Sequence, residues 1–61
     1  QPGDKIEILV SDIWKIGRIK HIKDTNVIIQ VLNSEDNLEF NVRNYEYSEI
    51  VCPYRTHILN K

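Results

Sequence analysis

The chain has 61 residues, 41% of them hydrophobic and 28% charged, with a net charge of −1. That length holds one domain near the lower limit of independent stability and leaves almost no room for a catalytic apparatus. The single Cys52 excludes an internal disulfide, and the near-neutral balance lacks the overall basic excess of a dedicated nucleic-acid binder.

Gly3-Asp4 is a turn leading into a first strand over Lys5 to Val10, in which Ile6, Ile8 and Val10 alternate with Lys5, Glu7 and Leu9. Successive side chains on a strand point to opposite faces, so this set makes one apolar stripe. Ser11-Asp12 marks the next loop. Ile13, Ile16, Ile19 and Ile22 then recur at every third position, a spacing closer to a helix than to a strand. Four β-branched isoleucines, an interior Gly17 and no N-cap besides Asp12 oppose a helix. A strand with a bulge near His21 brings Ile19 and Ile22 onto one face, and this is the expectation.

Lys23 to Asn26 is a polar turn into a third strand, Val27 to Leu32, which carries Ile28 and Leu32 on its second face. Asn33-Ser34-Glu35-Asp36-Asn37 is rich in turn formers and closes a hairpin onto a fourth strand, where Leu38, Phe40 and Val42 alternate with Glu39, Asn41 and Arg43. Asn44 to Ser48 reads as a short helical turn or ordered loop, Ile50 to Cys52 as a last strand ended by Pro53, and His57 to Lys61 as a tail. Five short strands in so few residues predict an all-β fold closed or partly closed into a small five-stranded barrel over residues 3–55, with a tail over 56–61. Closure removes the strand edges that invite aggregation.

The charges are unevenly placed. Residues 1–23 carry a balance of +2, residues 24–49 carry −5, and the remainder +2. The acidic middle suits a cationic partner or simply a solvated surface. Aromatics interrupt the apolar pattern at Trp14, and at Tyr45 and Tyr47 on either side of Glu46. Aromatic faces attract cations, and neighbouring carboxylates add to that attraction. Lys15, Arg18, Lys20 and Lys23 form a competing basic stretch that could meet phosphates. Neither His21 nor His57 lies in a local pattern that suggests a nucleophile or a metal site, there is no phosphate-binding loop, and Cys52 reads as a small buried hydrophobe. No cofactor, no metal and no enzymatic activity are expected. No run of about eighteen apolar residues is present, so no membrane association is expected. Gln1 in place of an initiator methionine is expected of a segment of a larger protein, and the lone cysteine of an intracellular one.

The segments PGDKIEIL, IWKIGRIKHI, NVIIQVL, LEFNV and SEIVCP, in that order, resemble a Tudor domain of the SH3-like barrel group, from Gly3 to Pro53. The resemblance implies an SH3-like barrel and a non-catalytic module that reads methylated lysine or arginine, in a nuclear chromatin-associated or RNA-processing protein. Trp14 falls at the aromatic that opens strand two in such modules. Lys15 and Val31 stand where other members carry further aromatics. Tyr45 and Tyr47 are the candidates to replace them, with Asn33, Glu35 and Asp36 as the acidic turn. The expected partner is a protein or histone-tail peptide, bound by a monomeric domain. The G-D-K-I opening is also similar to nucleic-acid-binding barrels, which leaves Lys15, Arg18, Lys20 and Lys23 as an alternative site. A third alternative is a structural barrel that packs inside a larger protein through Ile13, Ile28 and Leu32.

Overall fold

A computed structural model describes residues 1–58. The strands are β1 (Lys5–Val10), β2 (Ile13–Lys23), β3 (Asn26–Val31), β4 (Asn37–Asn41) and β5 (Val51–Pro53), with one short helix, α1 (Tyr45–Ile50), between β4 and β5. They form a single antiparallel five-stranded sheet in the order β4-β3-β2-β1-β5. Ser11 and Asp12 both take positive φ, 50° and 65°, in the two-residue turn that joins Val10 to its partner Ile13. That left-handed pair matches the twist of the flanking strands.

The register assigns every strand residue to a face. Ile6 lies opposite Gly17, Ile8 opposite Val51, Ile19 opposite Ile29, and Val27 opposite Phe40. These residues, with Val31, make the core face, where Ile8 and Ile29 are almost completely enclosed. The pairing slips between Ile19 and His21, which places Ile22 opposite Val27 on the same face as Ile19. The threefold isoleucine spacing is therefore a strand with a bulge. Leu32 lies outside β3 and is half exposed, and Val42 lies outside β4.

The sheet does not close into a barrel, which corrects the expectation of an SH3-like barrel. Closure would require β4 to pair with β5, but β5 is three residues long and ends at Pro53, which has no N–H to donate. The connecting segment instead coils into α1, which packs on β1 and β5. Six residues cannot sustain a helix alone. Asn44 caps it by accepting from the Glu46 N–H at 3.1 Å, and Tyr47 and Ile50 pack against the core. Tyr47 also meets Phe40 of β4, with ring centroids 6.0 Å apart, so one aromatic contact spans the seam where strand pairing stops.

The reverse face is set by the other parity. Glu7 pairs with Ile16 on one side and Cys52 on the other, and Leu9 pairs with Trp14. The segment after β5 folds back over this face and covers Glu7, which is 0% exposed. His57 and Ile58, placed in a tail by the sequence pattern, are hydrogen-bonded to Glu7; residues 59–61 lie outside the described residues.

At Gly17 the neighbouring chain approaches closely. A Cβ there would lie 3.0 Å from Ile29 Cγ2, 3.1 Å from the Gln30 carbonyl oxygen and 3.2 Å from Ile6 Cδ1. The carbonyl belongs to the neighbouring strand β3 and cannot retreat without straining the β2–β3 ladder. Gly17→Ala should therefore cost about 1–3 kcal/mol through overpacking, despite alanine's lower backbone entropy. A denaturant midpoint equal to or above that of the unmodified chain would refute this.

Candidate functional site

Two arrangements of polar and aromatic side chains stand out, one on each side of the sheet. The first is the seam between β4 and α1. A cavity of ≈ 210 Å³ opens there, lined by Glu39, Phe40, Glu46, Tyr47 and Ile50 among others. β4 delivers Phe40 from the core face, and the helix brings Tyr47 against it at an interplanar angle of 58°. Burial pushes the Tyr47 phenol above its ordinary value of 10.0, so it stays neutral and its ring keeps its electron-rich face. Glu46 is exposed at the rim, whereas Glu39 borders the opening from β4 but pairs with Ile28 and so presents its side chain to the reverse face. Two aromatic rings with a carboxylate at their rim make a surface that attracts a cation and repels an anion.

The second arrangement lies on the reverse face. The Glu7 carboxylate accepts the His57 backbone N–H at 2.7 Å through Oε1 and the Ile58 backbone N–H at 3.0 Å through Oε2. The Arg55 backbone N–H and the Cys52 thiol also turn toward it. Arg55 takes a left-handed φ of 70°, a conformation that aims successive N–H groups at an anion. Burial pushes the Glu7 carboxyl upward, but the hydrogen bonds together outweigh it and hold the group below its ordinary value of 4.5.

Around this anchor the side chains converge. Cys52 Sγ lies 3.2 Å from His57 Nδ1, His57 Nδ1 lies 3.4 Å from Glu7 Oε1, and Cys52 Sγ lies 3.6 Å from the same oxygen. Trp14 stacks on the His57 ring with centroids 3.8 Å apart and planes within 6°. Burial pushes the Cys52 thiol up; a Thr56 side-chain hydrogen bond opposes this, and the Glu7 carboxylate raises it again. A nucleophile relay needs the base to touch the thiol through one ring nitrogen and its orienting acid through the other. Here both partners meet Nδ1, so the three groups do not form a relay.

The residues singled out by sequence are distributed over several places. Trp14, Asn33 and Lys15 line one cavity of ≈ 470 Å³. Tyr47 lines the seam cavity and a further one near Tyr54. Tyr45 is 74% exposed on the outer side of α1, and Glu35 and Asp36 are exposed in the β3–β4 turn. Trp14 thus shares a cavity with Asn33, while its ring partner is His57 rather than a tyrosine. Of the basic set, Lys15 shares the core-face parity of Ile8, whereas Arg18 and Lys23 belong to the reverse face and Lys20 sits at the bulge. The Arg18 guanidinium donates to the Gly3 carbonyl at 3.0 Å. In the apolar set, Ile13 and Leu32 are exposed and Ile28 is half-buried.

Phe40, Glu39, Glu7, Cys52 and His57 were not flagged by the sequence pattern as site residues. Phe40 reads as core and Glu7 as the solvent-facing member of an alternating strand. The one available signal was the five-residue step from Cys52 to His57 across Pro53, which needs a partner from β1 to become a cluster. No protein-family model, curated protein or solved structure matches the chain.

The Glu7 anchor sets a pH dependence. Because the folded chain holds this carboxyl below 4.5, its stabilising contribution is complete above that value and is lost as pH falls through the folded one. Glu7→Gln replaces one acceptor oxygen with a donor facing backbone N–H groups, so it should lower the denaturant midpoint at neutral pH. The gap between the variant and the unmodified chain should shrink as pH drops below 4.5. A gap that is independent of pH would show that the carboxylate charge is not what anchors the segment.

Proposed function

We propose that this domain is a non-catalytic interaction module of the Tudor-like kind, and that it takes a cationic side chain of a partner peptide, methylated lysine or arginine included, at the seam between β4 and α1. The observation that carries this reading is the pairing of Phe40 and Tyr47 across an open cavity whose rim holds Glu46. A cation over an aromatic face gains about 0.5–2 kcal/mol depending on its desolvation, and methylation lowers the cost of removing it from water. The Glu46 carboxylate adds about 0.2–1 kcal/mol and is screened by salt. The same chemistry operates inside the chain, where Lys5 Nζ and Arg55 Cζ lie 5.2 and 5.4 Å from the centre of the Tyr54 ring. The excess of acids over residues 24–49, which includes β4 and α1, supports the same partner charge.

Among the described residues β4 is also an edge strand with β3 as its single neighbour, so its open edge could pair with an extended peptide while one side chain enters the cavity. Titration of lysine-containing histone-tail peptides, unmodified and trimethylated, against the ¹⁵N-labelled chain tests the reading. Shifts should centre on Phe40, Glu46 and Tyr47. Glu46→Gln should weaken binding by up to about fivefold without unfolding an exposed surface, and Glu39→Gln, on the reverse face, should weaken it less. Shifts centred on Trp14 and Asn33, or none at millimolar peptide, would place the site elsewhere or remove it.

A further inference from the structure

We propose that Glu7, Cys52 and His57 form a binding site for a thiophilic divalent cation, with zinc the best-suited ion. The three donor atoms are one oxygen, one sulfur and one nitrogen, drawn from β1, β5 and the segment that follows β5, and they lie within 4.8 Å of one another. Their separations are the evidence. Zinc binds sulfur at about 2.3 Å and nitrogen or oxygen at about 2.0–2.2 Å, so neighbouring ligands on a tetrahedral ion stand about 3.3–3.6 Å apart. The observed edges are 3.2, 3.4 and 3.6 Å, all measured between the same Sγ, Nδ1 and Oε1 atoms. A single ion near the middle of that triangle reaches all three with little movement.

The convergence that spoils a nucleophile relay suits a metal, because both the thiol and the carboxylate already meet His57 at Nδ1. Supporting contacts hold the donors in place. Trp14 fixes the plane of the imidazole, and the His57 and Ile58 backbone N–H groups hold the carboxylate. Such outer contacts orient ligands and tune affinity. The mixed sulfur, nitrogen and oxygen set suits zinc better than magnesium or calcium, which prefer oxygen alone. On binding, the Cys52 S–H bond breaks, its electron pair forms the metal–sulfur bond, and the proton passes to buffer. Nothing is oxidised or reduced. His57 contributes the Nδ1 lone pair of its neutral ring, and Glu7 remains a carboxylate. Three protein ligands leave a fourth position for water.

Cobalt(II) titration of the reduced chain tests the site. A saturable thiolate-to-cobalt charge-transfer band should appear with a single ion per chain, disappear on adding zinc, and strengthen with rising pH as proton release becomes easier. Cys52→Ser should abolish the band. His57→Gln is the decisive variant, because the Glu7 anchor uses the backbone N–H of residue 57, which the substitution keeps. With its fold checked by amide NMR, it should bind cobalt at least about tenfold more weakly. No band in the folded unmodified chain, or unchanged affinity in His57→Gln, would overturn the proposal, the latter because the ion would then sit on an isolated thiol.

Discussion

The buried Glu7 carboxylate is the contact on which the reverse side of this sheet depends. A charged group with no exposure is costly unless hydrogen bonds replace its lost water. Here the replacement comes from backbone N–H groups of a segment about fifty residues away in the chain, at 2.7 and 3.0 Å. The dependence runs both ways. Without the segment the carboxylate would sit on a bare apolar face, and without the carboxylate the segment would have three N–H groups aimed at nothing. This mutual need brings His57 under Trp14 and beside Cys52.

The opposite side is governed by burial of branched aliphatic side chains and by the failure of the sheet to close. Ile8, Val27 and Ile29 are enclosed, and the register slip in β2 keeps Ile19 and Ile22 in line with them. Where β5 is too short to meet β4, a helix of six residues fills part of the gap and leaves a cavity beside it. A closed barrel would have hidden the Phe40 ring beneath backbone pairing. The open seam leaves it available, together with Tyr47, with Glu46 at the rim.

Much of the strand framework was legible because it rests on local periodicity. The first strand, the turn at Ser11-Asp12 and the bulge near His21 follow from alternation and turn chemistry, and so does a last strand by Pro53, although Ile50, read as its first residue, ends α1 instead. Closure was not legible, because it depends on whether two strands distant in the chain are long enough to meet. The site residues divide in the same way. Tyr47 was visible as an aromatic in an irregular segment, but its partner Phe40 looked like ordinary core. Trp14 was visible too, yet its stacking partner lies in a segment whose composition suggested a tail.

The sequence by itself determined the β-rich character, the strand positions and the face that each strand residue presents, since these depend on neighbours two or three positions apart. Only the tertiary structure decided that Glu7 is buried, that Cys52 and His57 meet it, and that Phe40 faces Tyr47 across a gap. Those outcomes depend on contacts between distant segments, and a carboxylate at an alternating position reads as solvent-facing until the chain that covers it is in place. Local pattern assigns a side chain to a face. What lies over that face is settled by the fold.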